Sequence, residues 1–200
     1  DAVQEWLARA QILVGDVQAA VPTLEAIGTQ TQSAEIYCAL AAAHYQTGDF
    51  LQAQQAARWV LDRRPQHLPA LLQLSIIAAA QDDPDAEMGA LERAAALSPE
   101  DAITHFMLGQ TLLSRGDIDP AKTEIARAVQ LAPERATWHF SLGEVCRDSD
   151  EPDAALSHFQ MAAHLATEQR LSAQVIAKYR ATLARAYAAD GDDAAAREQY

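Results

Sequence analysis

The sequence predicts an all-α fold, an α-solenoid or superhelix of about six helix-turn-helix repeats, and two observations carry this prediction. Helix-forming Ala, Leu, Gln, Glu and Arg dominate a chain of 200 residues in which Asn is absent and 50% of the residues are hydrophobic. A period of 34 residues also runs along the chain, because Pro65, Pro99 and Pro133 are spaced by it and the segment HFMLG at 105–109 returns as HFSLG at 139–143. A fixed period of this length is typical of stacked helical hairpins.

The period divides one predicted domain, residues 1–200, into six units. Their expected bounds are 1–33, 34–67, 68–101, 102–135, 136–176 with an extension, and 177–200 as an incomplete last unit. Each unit should contain two helices joined by a tight turn. The residues that mark this turn are Gly15, Gly48, Gly116 and Gly191, with Asp82 and Asp150 in the two units that lack the glycine.

The second helix of a unit should begin shortly after the turn. Pro84, Pro120 and Pro152 lie at these starts, where the missing N–H of proline costs nothing because the first N–H groups of a helix have no partner within it. The acidic residues beside them favour the positive end of the helix. Helix capping therefore explains the acidic turns DDPDAE and DSDEPD better than calcium binding, since neither has the Glu that closes a calcium loop.

These residues resemble the tetratricopeptide repeat, in which small residues, large apolar residues and a closing proline recur at fixed places. The resemblance spans the whole chain, and the fourth unit matches at Leu108, Gly109, Gly116, Ala121, Ile125, Ala128 and Pro133. The small residues should allow close helix approach, so that a bulky side chain at Gly109 or Gly143 would be overpacked.

Some positions depart from the pattern. Glu87 stands where a small residue is expected, and Pro22 inside the second helix of the first unit should delay or kink that helix. The interval from Asp150 to Gly191 is 41 residues instead of 34, which predicts a longer first helix in the sixth unit, from about Glu168 to Ala189. The sixth unit stops at Tyr200 before its second helix is complete, which predicts a piece of a longer protein.

The resemblance implies that the first helix of each unit lines a concave groove that holds a protein or peptide. Its groove-lining places are spaced by three and four residues, so they share one helical face. The implied partner-binding residues are Arg9, Cys38, Ala42, Tyr45, Leu72, Ile76, Phe106, Gln110, Phe140, Glu144, Arg147, Lys178 and Arg185. The middle of this groove should be apolar and its far end basic. A packing role for the same side chains, between neighbouring repeats, stays open.

An apolar groove with a basic end suits an amphipathic helix or an extended segment that carries apolar anchors and acidic residues. It does not suit the family members that clamp the carboxylate tail of a chaperone, because Asn is absent and the first three units have no Lys. Two further functions remain open. The chain could be a non-catalytic domain of a larger enzyme or of a secretion or assembly complex, or it could self-associate through its terminal helix as a homo-oligomer.

Charge and composition exclude several partners. A net charge of −13 disfavours nucleic acid and anionic membrane surfaces, and the longest apolar stretch, residues 68–80, is shorter than the roughly 20 residues that membrane insertion requires. Cys38 and Cys146 have no metal or disulfide spacing, and two free thiols favour the cytoplasm over the periplasm.

No catalytic motif is present. The sequence has no GxSxG, no phosphate-binding GxxxxGK, no GxGxxG and no HExxH, so we expect neither an enzyme nor a cofactor. His105 and His139 occupy equivalent places in successive units, which indicates structural positions and not a metal pair.

Overall fold

The computed structural model describes residues 16–199, apart from the side chain of residue 193. Arg9 and the turn residue Gly15 lie outside the described residues. The described part contains eleven helices and no strand. In chain order they are α1 Val17–Thr31, α2 Ala34–Gln46, α3 Phe50–Arg63, α4 Leu68–Ala80, α5 Pro84–Leu97, α6 Ala102–Arg115, α7 Ile118–Leu131, α8 Ala136–Asp148, α9 Pro152–Glu168, α10 Ala173–Asp190 and α11 Asp193–Glu198.

The helices from α2 onward form consecutive hairpins, each a first helix that packs against the second helix following it. Helix α1 is the second helix of the first unit and packs against α2. Successive hairpins pack against each other at α3–α4, α7–α8 and α9–α10. This arrangement confirms the prediction of an all-α solenoid.

The turn inside each hairpin has a left-handed residue at the predicted place. Gly48, Gly116 and Gly191 have φ angles between 81° and 87°, and Asp82 and Asp150 adopt 56° and 61°. Aspartate tolerates this region better than most side chains, although glycine occupies it at lower cost. The Gly-Asp pattern and its Asp substitutes therefore share one backbone conformation.

Short polar side chains cap most of the helix starts. Asp49, Asp83 and Asp101 each accept a hydrogen bond from a backbone N–H in the first turn of the helix that follows. Such caps satisfy N–H groups that have no partner within the helix. Asp83 confirms the capping prediction for the turn DDPDAE, whereas in DSDEPD the N-cap residue Glu151 makes no side-chain cap, so the prediction is wrong there.

Gly109 and Gly143 lie where two helices of one hairpin approach closely. A Cβ atom built at Gly109 would lie 2.5 Å from Cγ1 of Ile125, and one built at Gly143 would lie 2.7 Å from the ring of Phe159. These distances are shorter than van der Waals contact. The prediction that both places require a small residue is confirmed.

Two predictions about helix bounds were wrong. Helix α1 runs from Val17 to Thr31 with Pro22 inside it, so the proline does not delay the helix. The extra residues before Gly191 do not lengthen one helix alone, because α9 extends to Glu168 and α10 begins only at Ala173. The predicted boundary after residue 176 therefore falls inside α10, and the observed boundary is the segment 169–172.

The described chain divides into two compact units, one up to Pro99 and one from Glu100 onward, and the terms first unit and second unit refer to these two from here on. The first unit has two apolar clusters. One contains Leu24 and Leu40, and the other contains Val60 and Leu71. In the second unit, one cluster extends from Ile125 to Leu183 and contains Phe159. Among the described helices, none has both the length and the apolar character needed to cross a bilayer.

Candidate functional site

In the first unit, the predicted partner-binding residues lie on two neighbouring first helices, α2 and α4. Together they form a surface that we call the α2–α4 face, whose members are Cys38, Ala42, Tyr45, Leu72 and Ile76. Four of these side chains are half-buried, whereas Ile76 is exposed, at 38% of its full surface. A notch of about 180 Å³ opens between the two helices. The residues that line it are Ala41, Ala42, Tyr45, Gln46, Gln73, Ile76 and Ile77.

Gln73 links the two helices beneath this face. Its Nε2 donates a hydrogen bond of 2.8 Å to the backbone carbonyl of Cys38. The other amide atom, Oε1, is buried without a donor among the described residues. The bond fixes the spacing of α2 and α4, so the notch is part of the folded structure and not a gap between loose helices.

Cys38 is a protonated thiol at the edge of the α2–α4 face. Burial, and then the negative charge of Glu35, raise the pKa of this thiol to about 11, against a weaker opposing effect of Arg64. Its sulfur lies 3.9 Å from Nδ1 of His67, which accepts a hydrogen bond from the N–H of Ala70 at the start of α4. A thiol held in the neutral form is a weak nucleophile, so the environment of Cys38 disfavours a reactive role.

In the second unit, Phe106 and Phe140 have different environments. Phe106 is half-buried and stacks on Trp138, with 5.0 Å between ring centroids. Phe140 is only 4% exposed, and its ring packs against Phe159 at 5.6 Å and stacks on Tyr179 at 4.3 Å. The prediction that Phe140 contacts a partner was therefore wrong. The side chain belongs to the core, where it packs against both α9 and α10.

The predicted basic residues also lie in the second unit, on α8 and α10. Lys178 covers the ring of Phe140, with its Nζ 4.6 Å from the ring centroid. Arg147 donates two hydrogen bonds to Asp148, and Arg185 donates to the carbonyl of Ala181 and to Thr182 Oγ1. Arg147 and Arg185 line one cavity of about 350 Å³.

The two remaining predicted residues of this unit differ in exposure. Gln110 is exposed on α6, and Glu144 is half-buried on α8. Burial is the main reason for the raised pKa of Tyr179, and the charge of Glu144 adds to it. Tyr179 therefore stays a neutral phenol.

Sequence reasoning did not find two side-chain clusters. In the first unit, Tyr37 stacks on Trp59 at 3.6 Å, and the guanidinium of Arg63 lies 3.9 Å from the centre of the same indole ring. In the second unit, Nδ1 of His139 lies 3.2 Å from Nδ1 of His158. The second pair could have been found, because His105 and Glu124 stand one period earlier and also pair, at 2.6 Å.

Metal-binding groups are not gathered in the described part of the chain. No three His, Cys, Asp or Glu side chains there come together as a metal site would require.

Comparison with known proteins defines the class. A family model described as tetratricopeptide repeat matches residues 38–102 and 106–173, and a second model of the same description matches residues 2–26. The chain belongs to the tetratricopeptide repeat family. Among curated proteins, no significant match is found.

Several solved structures share the fold. A structure titled as the functional characterisation of Pseudomonas aeruginosa PilF has a TM-score of 0.84 and 16% identity, and it covers 99% of this chain and 87% of its own. MamA from Desulfovibrio magneticus RS-1 has a TM-score of 0.73 and 21% identity, over 84% of this chain and 96% of its own. YrrB, described as a TPR protein with an unusual peptide-binding site, has a TM-score of 0.63 and 17% identity, over 82% and 85%. At these identities the likeness shows the fold alone.

Proposed function

We propose that this protein is a non-catalytic interaction scaffold, and that its α2–α4 face binds a segment of a partner protein. The observation that carries the proposal is the exposed apolar side chain of Ile76 beside a structured notch of about 180 Å³. A notch of this size accepts one aliphatic side chain of a partner. The peptide-binding site named for YrrB, a protein of the same fold, supports this kind of function.

The chemistry of the face also supports a binding role over a catalytic one. Its single thiol is held neutral, and its other members are Ala, Tyr, Leu and Ile. Apolar surface of this kind stabilises a complex when a partner covers it, because water is released from both sides. Because this fold serves many unrelated functions, the proposal depends on the chemistry of the surface and not on the fold.

The chain offers a matched test, because four large apolar side chains are exposed in the described residues. Ile76 and Ile103 lie on first helices, whereas Leu51 and Met161 lie on second helices. We expect Ile76→Glu to weaken capture of the partner at least tenfold, since a buried carboxylate without a counter-charge costs more than about 1.4 kcal/mol. The measurement is a pull-down from the native extract with mass spectrometry, followed by titration of the purified partner.

Leu51→Glu is the control, since it places the same charge on an exposed apolar position of α3. It should retain full capture, and both variants should keep the helicity and melting temperature of the wild type. Loss of capture with Leu51→Glu, together with full capture by Ile76→Glu, would move the binding surface to the second helices.

A further inference from the structure

The cavity of the second unit that Arg147 and Arg185 line is distinct from the α2–α4 face. Its wall and floor come from α8, α9 and α10, and its volume is about 350 Å³. Phe159 at the floor is 1% exposed and Thr182 is 7% exposed, whereas both arginines are exposed at the rim. The cavity therefore combines an apolar interior with two guanidinium groups and the carboxylate of Asp190 at its opening.

Of the two arginines, Arg185 is better placed to donate a hydrogen bond to a ligand. Its Nε donates to the carbonyl of Ala181 at 3.2 Å and its Nη2 donates to Thr182 Oγ1 at 3.3 Å, so both fixed partners are neutral acceptors. Among the described residues, no carboxylate forms an ion pair with Arg185. These bonds hold the guanidinium in place and leave Nη1 for another acceptor.

Arg147 and Asp190 set the charge of the rest of the rim. Arg147 donates from Nε and Nη2 to the same oxygen of Asp148, at 3.0 and 2.9 Å, and Asp190 also lines the cavity. Of the two rim arginines, Arg185 is therefore the one without an ion pair among the described residues, and Asp190 is a carboxylate on the same rim.

We propose that this cavity binds an acidic side chain of a partner segment, with the apolar side chain next to it inserted toward Phe159. A carboxylate matches the planar donor geometry of a guanidinium, and the apolar floor takes a side chain that water would otherwise surround. A guanidinium at the rim and an apolar floor favour a segment that lies across the opening, with its acidic side chain at the rim and the neighbouring apolar side chain inside the cavity. The proposal rests on the proposed scaffold function and adds the chemistry of a second contact.

The test is NMR titration of the 200-residue protein with two capped peptides, Ac-Ala-Leu-Glu-Leu-Ala-NH2 and Ac-Ala-Leu-Gln-Leu-Ala-NH2. The backbone amides of the cavity residues report binding, and weak complexes are measurable in this way. We expect the Glu peptide to bind about five- to tenfold more tightly than the Gln peptide, because hydrogen bonds to a charged acceptor are stronger. Raising the ionic strength from about 0.05 M to about 0.5 M should reduce this difference.

Arg185→Gln should lower the affinity for the Glu peptide to that for the Gln peptide. Arg180→Gln is the control, because Arg180 is exposed on the same helix and does not line the cavity. Both variants should melt at the wild-type temperature. Equal affinities of the two peptides for the wild type, or an equal effect of the two variants, would overturn the proposal.

A third probe, 4-methylpentanoate, identifies the source of the carboxylate. If it perturbs the cavity and neither peptide does, the ligand is a small carboxylic acid and the peptide proposal fails. If partner capture depends on Ile76 but not on Arg185, and the peptides do not differ, this proposal fails while the scaffold function stands.

Discussion

His139 and His158 face each other across the α8–α9 hairpin. Their Nδ1 atoms are close enough for a hydrogen bond, so one of these two atoms donates and the other accepts. Nε2 of His139 lies 3.0 Å from the carbonyl of Pro133, which can only accept, so this nitrogen carries the proton of the neutral ring. Nδ1 of His139 is then an acceptor, and Nδ1 of His158 donates to it over 3.2 Å. Burial, and then the charge of His139, lower the pKa of His158 below its usual value near 6.5.

The free energy of unfolding should therefore decrease as the pH is lowered. The unfolded chain binds more protons at His158 than the folded one between the usual pKa and the lowered one, so this contribution is complete above about pH 6.5 and is lost as the pH falls below it. Melting temperatures measured from about pH 7.5 down to about pH 5 should decrease. His158→Asn, whose amide replaces the Nδ1 donor, should reduce the slope.

His164→Asn is the control, because it makes the same substitution on the exposed face of the same helix. If His158→Asn and the wild type lose stability equally as the pH falls, the pair does not titrate in this way.

At the residue scale, the sequence predicted backbone conformations correctly but did not predict side-chain burial that depends on a neighbouring helix. The left-handed turn places of Asp82 and Asp150 could be predicted, because the period aligns them with glycines. The burial of Phe140 could not be predicted, because the same helical place is half-buried at Phe106. Both rings stack on an aromatic side chain of the next first helix, and Phe140 is covered further by Phe159 and Lys178.

At the scale of the helical hairpin, glycine substitutions should act in opposite directions at two sites. At Gly109 a methyl group would meet Ile125, so Gly109→Ala should lower the free energy of unfolding by about 1 kcal/mol, the overpacking cost of about 1–3 kcal/mol less the helix-propensity gain of about 1. At Gly89 in α5 a methyl group would have open space, so Gly89→Ala should raise the free energy of unfolding by about 0.5–1 kcal/mol. Urea denaturation measures both.

The contrast is internal, because both substitutions add one methyl group within a helix. A stabilising Gly109→Ala would mean that Ile125 moves aside freely and that the hairpin does not depend on close approach.

Helix bounds could be predicted from the sequence only within the regular period. The extra residues between Asp150 and Gly191 were expected in one helix, but Arg170 adopts a φ of 51° and Ser172 caps α10 by accepting a bond from the N–H of Val175. Neither residue is glycine or proline, so the break has no strong signal in the sequence.

For the whole molecule, the sequence determined the class because periodicity is a property of all repeats together, and the family matches confirm it. The binding surface is different, since exposure depends on which neighbour covers each side chain. Ile76 stays exposed while the equally apolar Ile77 beside it is 1% exposed. The helical face predicted for the groove includes Ile76 and not Ile77, so this pair could be distinguished from the sequence, whereas the burial of Phe140 could not.

Because helices pack mainly against their neighbours in the chain, damage to one hairpin should stay local. Gly143→Ala places a methyl group 2.7 Å from Phe159 and should accelerate amide hydrogen exchange in α8 and α9 by about tenfold. Exchange in α2 and α3 should change by less than about twofold, since their contacts are to other helices. Gly89→Ala serves as the control that adds a methyl group without a clash. Equal acceleration in both hairpins would instead show that the two units unfold as one cooperative structure.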